Sequence, residues 1–218
     1  MRFITALILG CFLISCQQQP ESTTSISQDI QVLASDSLQG REVGTKGERM
    51  AAAYLVSRFK SIGLEPKGTT NYIQSFFVKD ADNPHEQAKM SSIDSIKGIE
   101  GRNVIAFQDN PGDNLIIVGA HYDHLGYGGF SSLHRGDTAI HNGADDNASG
   151  VAAMLAIAQY FKNNPPNSDL LYMAFSGEEK GLWGSNYFVK NPTVDLSNTN
   201  FMINMDMVGR LDTAKGIA

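Results

Sequence analysis

Between residues 103 and 205 the sequence alternates between short β-rich runs and helical segments, and this alternation constrains the fold more than any other feature. The predicted strands span 103–107, 115–120, 170–175 and 201–205. One predicted helix begins at the potential N-cap Ser149 and ends before Pro165, and another spans 182–189. This order predicts an α/β fold with a central mixed, largely parallel β-sheet flanked by helices.

A further amphipathic helix is predicted nearer the N-terminus. Thr45 and Glu48 have the spacing of a capping box, an apolar stripe runs from Met50 to Ile62, and Gly63 follows it. A strand is predicted at 72–78. The polar segment 81–101 has no clear periodicity, and we interpret it as an excursion from the core.

The first residues have the pattern of a secretory leader. A positive charge at Arg2 precedes an apolar run at 3–14, which is too short for a stable membrane-spanning helix. The run ends in Leu-Ile-Ser before Cys16, which resembles the lipobox of bacterial lipoproteins; a plain signal peptide with a chance cysteine is the alternative. We predict a signal peptide at 1–15, a lipidated Cys16 with a polar tether at 16–28, and one domain at 29–218.

The cysteines and the charged residues indicate which partners and which location to expect. The chain's two cysteines are Cys11 and Cys16, so the domain has neither a disulfide nor a thiol nucleophile. Its 17 basic and 23 acidic residues give a net charge of −6 without a basic block, which argues against a nucleic-acid partner. A lipid on Cys16 predicts a cell-envelope protein that faces the periplasm or the outside. Gln17 is not the aspartate associated with inner-membrane retention, which favours the outer membrane.

Acidic residues and histidines gather at one edge of the predicted sheet. Ligands of such sheets bind beyond the carboxyl ends of the strands. Imidazole and carboxylate groups together suit zinc, whereas calcium and magnesium would suit the acids but not the histidine. The sequence therefore predicts a zinc site, with cobalt or manganese as alternatives. The segments that reach this edge are His121 to His124, Asp145 to Asn147, Glu178 with Glu179, and Asp206.

Asp206 gives the strongest single indication, because it ends an apolar predicted strand. An unpaired carboxylate buried there would cost several kcal/mol, so either a metal ion or Arg210 is predicted to face it. In a two-metal site one carboxylate bridges the ions, and another acid takes the proton of the attacking water. The adjacent Glu178 and Glu179 can supply a ligand and such a base.

Four motifs in order resemble peptidase family M28, the co-catalytic zinc aminopeptidases. They are HYDHLG at 121–126, NGADDNASG at 142–150, FSGEE at 175–179 and NMDMVG at 204–209. The segment LQGREVGTKG at 38–47 also resembles the opening of these domains. The resemblance runs from about residue 29 to the last residue and implies a zinc-exopeptidase-like fold.

The resemblance implies a ligand set for two zinc ions. His121 and Asp206 are expected to bind one zinc, and Glu179 the other. The bridging acid of the family lies three residues before the serine of Ala-Ser-Gly, which selects Asp146 rather than Asp145.

Two further roles follow from the resemblance. Asp123 is expected to orient the His121 ring through the nitrogen that does not bind metal. Glu178 is expected to act as the general base in hydrolysis of a peptide bond next to a free N-terminal amine. The implied partners are a peptide substrate and a membrane lipid; the oligomeric state is not specified by the sequence.

One departure from the family pattern concerns the second zinc. The family's histidine for that ion comes from a late loop, whereas this sequence ends at Ala218, soon after Asp206. The loop at 127–142, which includes His134 and His141, is expected to shape the rim of the pocket, and neither these two histidines nor His124 is expected among the ligands. We therefore expect a C-terminally truncated sequence whose second site lacks its histidine. If these residues are the whole molecule, weak second-site binding and a partly uncovered sheet edge are expected.

The same fold is compatible with further functions. They are a carboxypeptidase-like or glutaminyl-cyclase-like zinc enzyme, and a degenerate lipoprotein that only binds. The presence of both Glu178 and Asp146 argues against the last of these. Neither the preferred substrate side chain nor the choice between amino- and carboxypeptidase follows from the sequence.

Overall fold

A seven-stranded mixed β-sheet organises the residues that the computed structural model describes, which are 24–79, 88–93, 98–129 and 132–210. The order of six strands across the sheet is β3-β2-β4-β6-β5-β7, and β1 pairs with β4. The strands are β1 Glu65–Pro66, β2 Ile73–Lys79, β3 Lys89–Ser91, β4 Ile99–Gln108, β5 Leu115–His121, β6 Asp169–Phe175 and β7 Thr199–Asn204. The helices are α1 Ile26–Leu33, α2 Lys46–Ile62, α3 Gly150–Asn163 and α4 Trp183–Lys190, with a 3-10 segment at Asp36–Arg41 and a π-helical turn at Ala144–Ser149.

The predicted α/β fold with a mixed sheet and flanking helices is confirmed, but parallel pairing is confined to three strands. β5 pairs in parallel with both β6 and β7, whereas the remaining pairings are antiparallel. β4 and β5 are consecutive in the chain, yet β6 lies between them and runs antiparallel to β4. The prediction of a largely parallel sheet therefore holds only for the half that carries the site.

Both faces of the central strands are covered, which explains why these strands are almost continuously apolar. Alternate residues of β6 point to opposite faces. Leu170 and Tyr172 pack in the core formed with α1, α2 and α3, whereas Leu171 and Met173 pack in a second core with Phe188 of α4.

The ends of α2 lie where they were predicted, with one of the two hydrogen bonds of the predicted capping box, but the start of α3 differs from the prediction. The Thr45 side chain accepts a hydrogen bond from the amide of Glu48, and Gly63 ends α2 in the left-handed conformation. At α3, by contrast, the predicted cap Ser149 makes no capping bond and donates its hydroxyl to the carbonyl of Asp145 at 2.6 Å. The side chain of Asn147 accepts from the Gly150 amide instead, at 3.0 Å.

Two predicted boundaries differ from the structure. α1 begins at Ile26, within the stretch assigned to the tether, because Ser25 and Gln28 form a reciprocal capping box. β4 begins at Ile99, so the end of the predicted 81–101 excursion belongs to the sheet, where it pairs with β2. The predicted signal peptide and Cys16 lie outside the described residues.

β7 forms one edge of the described sheet, and its apolar side chains are exposed. Phe201, Met202 and Ile203 all have a large accessible fraction. Among the described residues, no helix combines the length and the apolar character needed to cross a membrane.

Candidate metal centre

The carboxyl ends of β5, β6 and β7 meet at one edge of the sheet and carry most of the predicted site. His121 is the last residue of β5 and lies beside Phe175, the last residue of β6. The chain then delivers Glu178 and Glu179 after β6, and Asp206 after β7. The parallel register thus explains why residues far apart in sequence converge here.

The first set of potential ligands, here the His121 group, consists of His121, Asp146 and Asp206. The Nε2 atom of His121 lies 3.2 Å from Oδ1 of Asp146 and 3.4 Å from Oδ1 of Asp206. One ligand atom from each residue lies within 4.8 Å of the others. This is the set that the sequence assigned to one zinc.

The second set, here the His124 group, consists of His124, Asp146 and Glu179, whose ligand atoms also lie within 4.8 Å of one another. The Nδ1 atom of His124 is 2.7 Å from Oε1 of Glu179 and 3.9 Å from Oδ2 of Asp146. His124 was not expected among the ligands, but the structure places its imidazole near two predicted ligands. Its position in the HYDHLG motif, three residues after His121, was the feature of the sequence that could have indicated this placement.

The donor chemistry of both groups fits zinc. Each group offers one imidazole nitrogen and carboxylate oxygens from two residues, which are ligand types that zinc binds in proteins. Asp146 belongs to both groups, as a bridging acid requires. Its neighbour Asp145 accepts from the Gly209 amide at 2.8 Å and so anchors the segment after β7.

The electrostatics of the His121 group favour a cation. Burial lowers the pKa of His121, but hydrogen bonds with Asp123 and Asp146 and the charge of Glu178 outweigh it and raise the pKa to about 11. The hydrogen bond with His121 in turn lowers the pKa of Asp146, against the effect of burial. Carboxylates therefore surround the ring closely enough to hold a positive charge among them.

The position of Asp206 corrects one argument from the sequence. Its side chain is 46% exposed, so burial does not force it to find a cation. β7 lies at the edge of the described sheet, and the chain leaves it before Asp206. Arg210 lies near Asp145 rather than Asp206, at 3.5 Å and with 84% of its side chain exposed. The cationic partner that Asp206 faces is His121.

Asp123 is buried behind the His121 ring, where it joins two parts of the site. Its Oδ1 lies 3.7 Å from Nδ1 of His121, and its backbone oxygen lies 3.2 Å from the same nitrogen. The carboxylate also accepts from the backbone amides of Glu178 at 3.0 Å and Glu179 at 3.4 Å. Asp123 therefore lies where it can orient the ring, and it also fixes the turn after β6.

Glu178 lies beside the His121 group without belonging to either ligand set. Its Oε2 is 3.9 Å from Nε2 of His121. Burial raises the pKa of Glu178, and the charges of Asp123, Glu179 and Asp206 act in the same direction. A half-buried carboxylate with a raised pKa beside a metal site can accept and return a proton.

Arg41 is a buried residue that supports the site, and the sequence predicted no role for it. Its guanidinium donates to the carbonyls of Tyr122 at 2.7 Å, Asn142 at 2.7 Å and Gly143 at 2.9 Å, and also to that of Leu33. Burial lowers its pKa to about 10, and the nearby acids oppose this change. Arg41 thus ties the loop that follows β5 to the loop that delivers Asp146.

Glu48 of α2 is a second framework residue without an assigned role beyond capping. Its buried Oε1 accepts from the hydroxyls of Tyr122 and Ser176, both at 2.9 Å, and Arg102 donates to both carboxylate oxygens. Tyr122 follows His121, and Ser176 lies shortly before the glutamate pair. Glu48 therefore anchors the segment after β5 and the segment after β6 through hydrogen bonds. Its position directly after the motif at 38–47 was the feature of the sequence that could have indicated this role.

The other two histidines of the loop lie outside both ligand sets. The Nε2 atom of His141 is 2.6 Å from the Ser132 hydroxyl, and Nε2 of His134 is 3.2 Å from the Asp137 carbonyl. Their expected role at the rim of the pocket stays a prediction.

Several solved structures share this fold. A leucine aminopeptidase precursor from Bacteroides thetaiotaomicron VPI-5482 is 21% identical with a TM-score of 0.64, and the alignment covers 86% of this chain and 63% of that one. A Zn-dependent exopeptidase from Parabacteroides distasonis ATCC 8503 is 22% identical with a TM-score of 0.62, covering 85% and 61%. A glutaminyl cyclase from Bacteroides thetaiotaomicron is 20% identical with a TM-score of 0.65, covering 86% and 62%. The fold is therefore that of the zinc-dependent exopeptidases.

The family follows from the sequence itself. The pattern that describes peptidase family M28 matches residues 103–217, just over half of the chain. The chain belongs to peptidase family M28, a family of zinc peptidases, which confirms the resemblance of its four motifs.

Curated relatives support this assignment. The alkaline phosphatase isozyme conversion protein of Escherichia coli K12 is 28% identical over 174 residues, which are 77% of this chain and 46% of the relative. A probable zinc metalloprotease of Pyrenophora tritici-repentis is 30% identical over 175 residues, covering 78% and 37%. Aminopeptidase YwaD of Bacillus subtilis 168 is 32% identical over 97 residues, covering 44% and 18%. The chain thus spans less than half the length of these relatives.

Proposed function

We propose that the protein is a zinc-dependent exopeptidase that acts as an aminopeptidase and removes N-terminal residues from peptides. The observation that carries this proposal is the placement of Glu178, 3.9 Å from His121 and outside both ligand sets. Zinc held by His121, Asp146 and Asp206 would supply Lewis acidity that polarises the scissile carbonyl and acidifies a water molecule. Membership of peptidase family M28 supports peptide-bond hydrolysis as the reaction.

The chain's own residues then perform proton transfer and orientation. Glu178 accepts a proton from the water that attacks the carbonyl carbon and passes it to the amine nitrogen that leaves, so the base is regenerated. Asp123 contacts both the Glu178 amide and the His121 ring. These contacts hold the base and the ligand at a fixed distance from each other. The acids of the site give a negative potential that suits a substrate with a positively charged amine.

A second candidate reaction is cyclisation of N-terminal glutamine. It is favoured by the likeness of the fold to a glutaminyl cyclase at a TM-score of 0.65. The same general acid–base residue would serve that reaction, because it also requires a proton to be taken from one nitrogen and given to another. A carboxypeptidase-like reaction and a non-catalytic binding function are also compatible with this fold.

The proposal is tested by hydrolysis of a leucyl anilide, measured with and without a chelator. We expect turnover that a chelator abolishes, zinc restores, and Glu178→Gln reduces by about 10²–10⁴-fold while zinc content is kept. Glu65→Gln, an exposed residue of β1, is the matched control. Cyclisation of glutaminyl peptides without anilide hydrolysis would favour the cyclase, and activity confined to peptides with blocked N-termini would favour a carboxypeptidase. Zinc binding without any turnover would favour the binding lipoprotein.

We further propose that the mature protein is anchored to the cell envelope through a lipid on Cys16, with the outer membrane as the favoured location. The support is the leader pattern at 1–16 in the sequence. Metabolic labelling with a fatty acid should mark the protein, and Cys16→Ala should abolish the label and release the protein from the membrane fraction. An unlabelled membrane protein would contradict this.

A further inference from the structure

We infer that Asn147 is a positioning residue for metal binding, which fixes the segment that carries Asp206 against the turn that carries Asp146. The inference rests on the proposed function, because these two acids are the proposed carboxylate ligands of the His121 group. The Asn147 side chain belongs to neither ligand set, and the residue is fully buried.

Strand pairing does not extend as far as Asp206. The amide of Met205 donates to the Gly119 carbonyl of β5 at 2.9 Å, which continues the pairing of β7 by one residue. β7 itself ends at Asn204, and the Asp206 side chain is 46% exposed. Contacts other than those of the sheet therefore determine where this carboxylate lies.

The Asn147 side chain makes such contacts on both sides of Asp206. Its Nδ2 donates to the Met205 carbonyl at 2.9 Å, and its Oδ1 accepts from the Met207 amide at 3.2 Å. One amide group thus holds both chain neighbours of Asp206. Because this group belongs to the residue next to Asp146, it couples the positions of the two carboxylates.

Two further side chains of the same turn bind the segment after β7. The hydroxyl of Ser149 accepts from the Val208 amide at 3.1 Å, and Oδ1 of Asp145 accepts from the Gly209 amide at 2.8 Å. With the contact of Asn147, three successive backbone amides of this segment are bound by side chains of the turn. The turn and the segment are therefore held together independently of any metal, as a preformed site requires.

The close approach of the two segments requires a glycine at position 150. An added Cβ there would lie 2.4 Å from Oδ1 of Asn147 and 2.5 Å from the carbonyl oxygen of Met205. The first residue of α3 thus leaves the space that the Asn147 contacts occupy.

The simplest competing explanation is that Asn147 serves only to cap α3, through the hydrogen bond from the Gly150 amide at 3.0 Å. A cap requires only an acceptor oxygen, whereas the contact with Met205 requires the Nδ2 donor. Asn147→Asp keeps the acceptor and turns an oxygen toward the Met205 carbonyl. This variant therefore separates the positioning role from the capping role.

The test measures the zinc affinity of the full chain by calorimetric titration in a double-mutant cycle, at the site whose affinity Asp206→Asn lowers. Asn147→Asp should weaken zinc binding by about 10–100-fold, as changes in partners that support a ligand do, although it adds a negative charge. In the Asp206→Asn background the same change should cost less than about 3-fold, because its effect passes through Asp206. Cobalt bound to Asn147→Asp should show an altered visible spectrum, since that spectrum depends on the ligand geometry.

Asn164→Asp is the matched control, because it makes the same change at the other end of α3. The exposed Asn164 side chain donates to the Tyr160 carbonyl, and its replacement should leave zinc affinity unchanged. Unchanged or tighter zinc binding in Asn147→Asp, or an equal loss in both backgrounds, would overturn the inference. No zinc in the unmodified chain would overturn the proposed function as well, so the two failures are distinguishable.

If Asn147→Asp does not fold, hydrogen exchange of the unmodified chain without zinc serves instead. The amides of residues 207–209 should exchange at least about 10-fold more slowly than those of an unfolded chain, because side chains of the turn bind them. Exchange at the rate of an unfolded chain would overturn the inference.

Discussion

The buried carboxylate of Asp123 accepts a hydrogen bond of 3.0 Å from the backbone amide of Glu178. The same side chain faces the nitrogen of His121 that points away from the ligand set. One residue at the end of β5 therefore sets the position of both a predicted ligand and the predicted base. The relationship joins two motifs that lie more than fifty residues apart in the sequence.

Replacing Asp123 with asparagine should weaken zinc binding and catalysis together. The amide group removes the charge behind His121 and turns one hydrogen-bond acceptor toward a backbone amide into a donor. We expect about a 10–100-fold loss in zinc affinity and a similar loss in kcat/KM, with the fold retained. Metal titration measures the zinc affinity, hydrolysis of a leucyl anilide measures kcat/KM, and circular dichroism checks that the fold is retained. Asp137→Asn, in the exposed part of the same loop region, should change neither; unaltered zinc affinity in Asp123→Asn would argue against a positioning role.

Replacing Arg41 with lysine should destabilise the protein although the charge is kept. The planar guanidinium donates to the carbonyls of Tyr122, Asn142 and Gly143 at the same time. The compact ammonium group of lysine cannot reach all of these carbonyls together. Leaving buried carbonyls unpaired should lower the free energy of unfolding by about 3 kcal/mol, measured by urea denaturation. Arg49→Lys is the control, because its exposed guanidinium donates to the Gly44 carbonyl at the surface. Equal losses in the two variants would show that the buried network is unimportant.

Most of the longer elements followed from the sequence because local patterns determine them, whereas α1, β1 and β3 were not predicted. The stripe of α2, its cap at Thr45 and its end at Gly63 depend on neighbouring residues only. The pairing of the strands depends on contacts across the chain, and the insertion of β6 between β4 and β5 had no local signal. The antiparallel half of the sheet was missed for that reason.

The site was predictable where a strand end determined the position of a residue, as it did for His121. It was less predictable where position depends on how loops are held. His124 lies at the second ligand set because Arg41 and the backbone near Gly126 fix the turn after β5, and these contacts span the sequence. Asp206 was placed at the correct end of the strands, but its burial was overestimated because an apolar sequence does not reveal that β7 lies at the edge of the described sheet.

Replacing Gly47 with alanine should destabilise the protein even though alanine is the better helix former. Gly47 lies in the first turn of α2, and an added Cβ would approach the Leu38 carbonyl to 1.9 Å. The segment that carries Arg41 would have to move, and such overpacking costs about 1–3 kcal/mol, more than the propensity gain of at most about 1 kcal/mol. Thermal unfolding measures the net change in stability that results from these two effects. Ser57→Ala, at an exposed position of α2, should stay within about 0.5 kcal/mol of the unmodified chain. A Gly47→Ala chain more stable than its parent would contradict the close approach.

Removing zinc should lower the melting temperature, because the acids of the two ligand sets then face one another with only two imidazoles between them. A ligand present at about a thousandfold over its dissociation constant stabilises by about 4 kcal/mol, which corresponds to about 10 °C for a chain of this size. A melting curve recorded with a chelator, and again after zinc is restored in excess, measures the difference. Magnesium should not replace zinc, because it favours oxygen ligands and retains its water. Asp206→Asn should melt with a smaller difference between the two conditions, since it removes one carboxylate of the His121 group. Identical curves with and without the chelator would mean that the centre binds no metal.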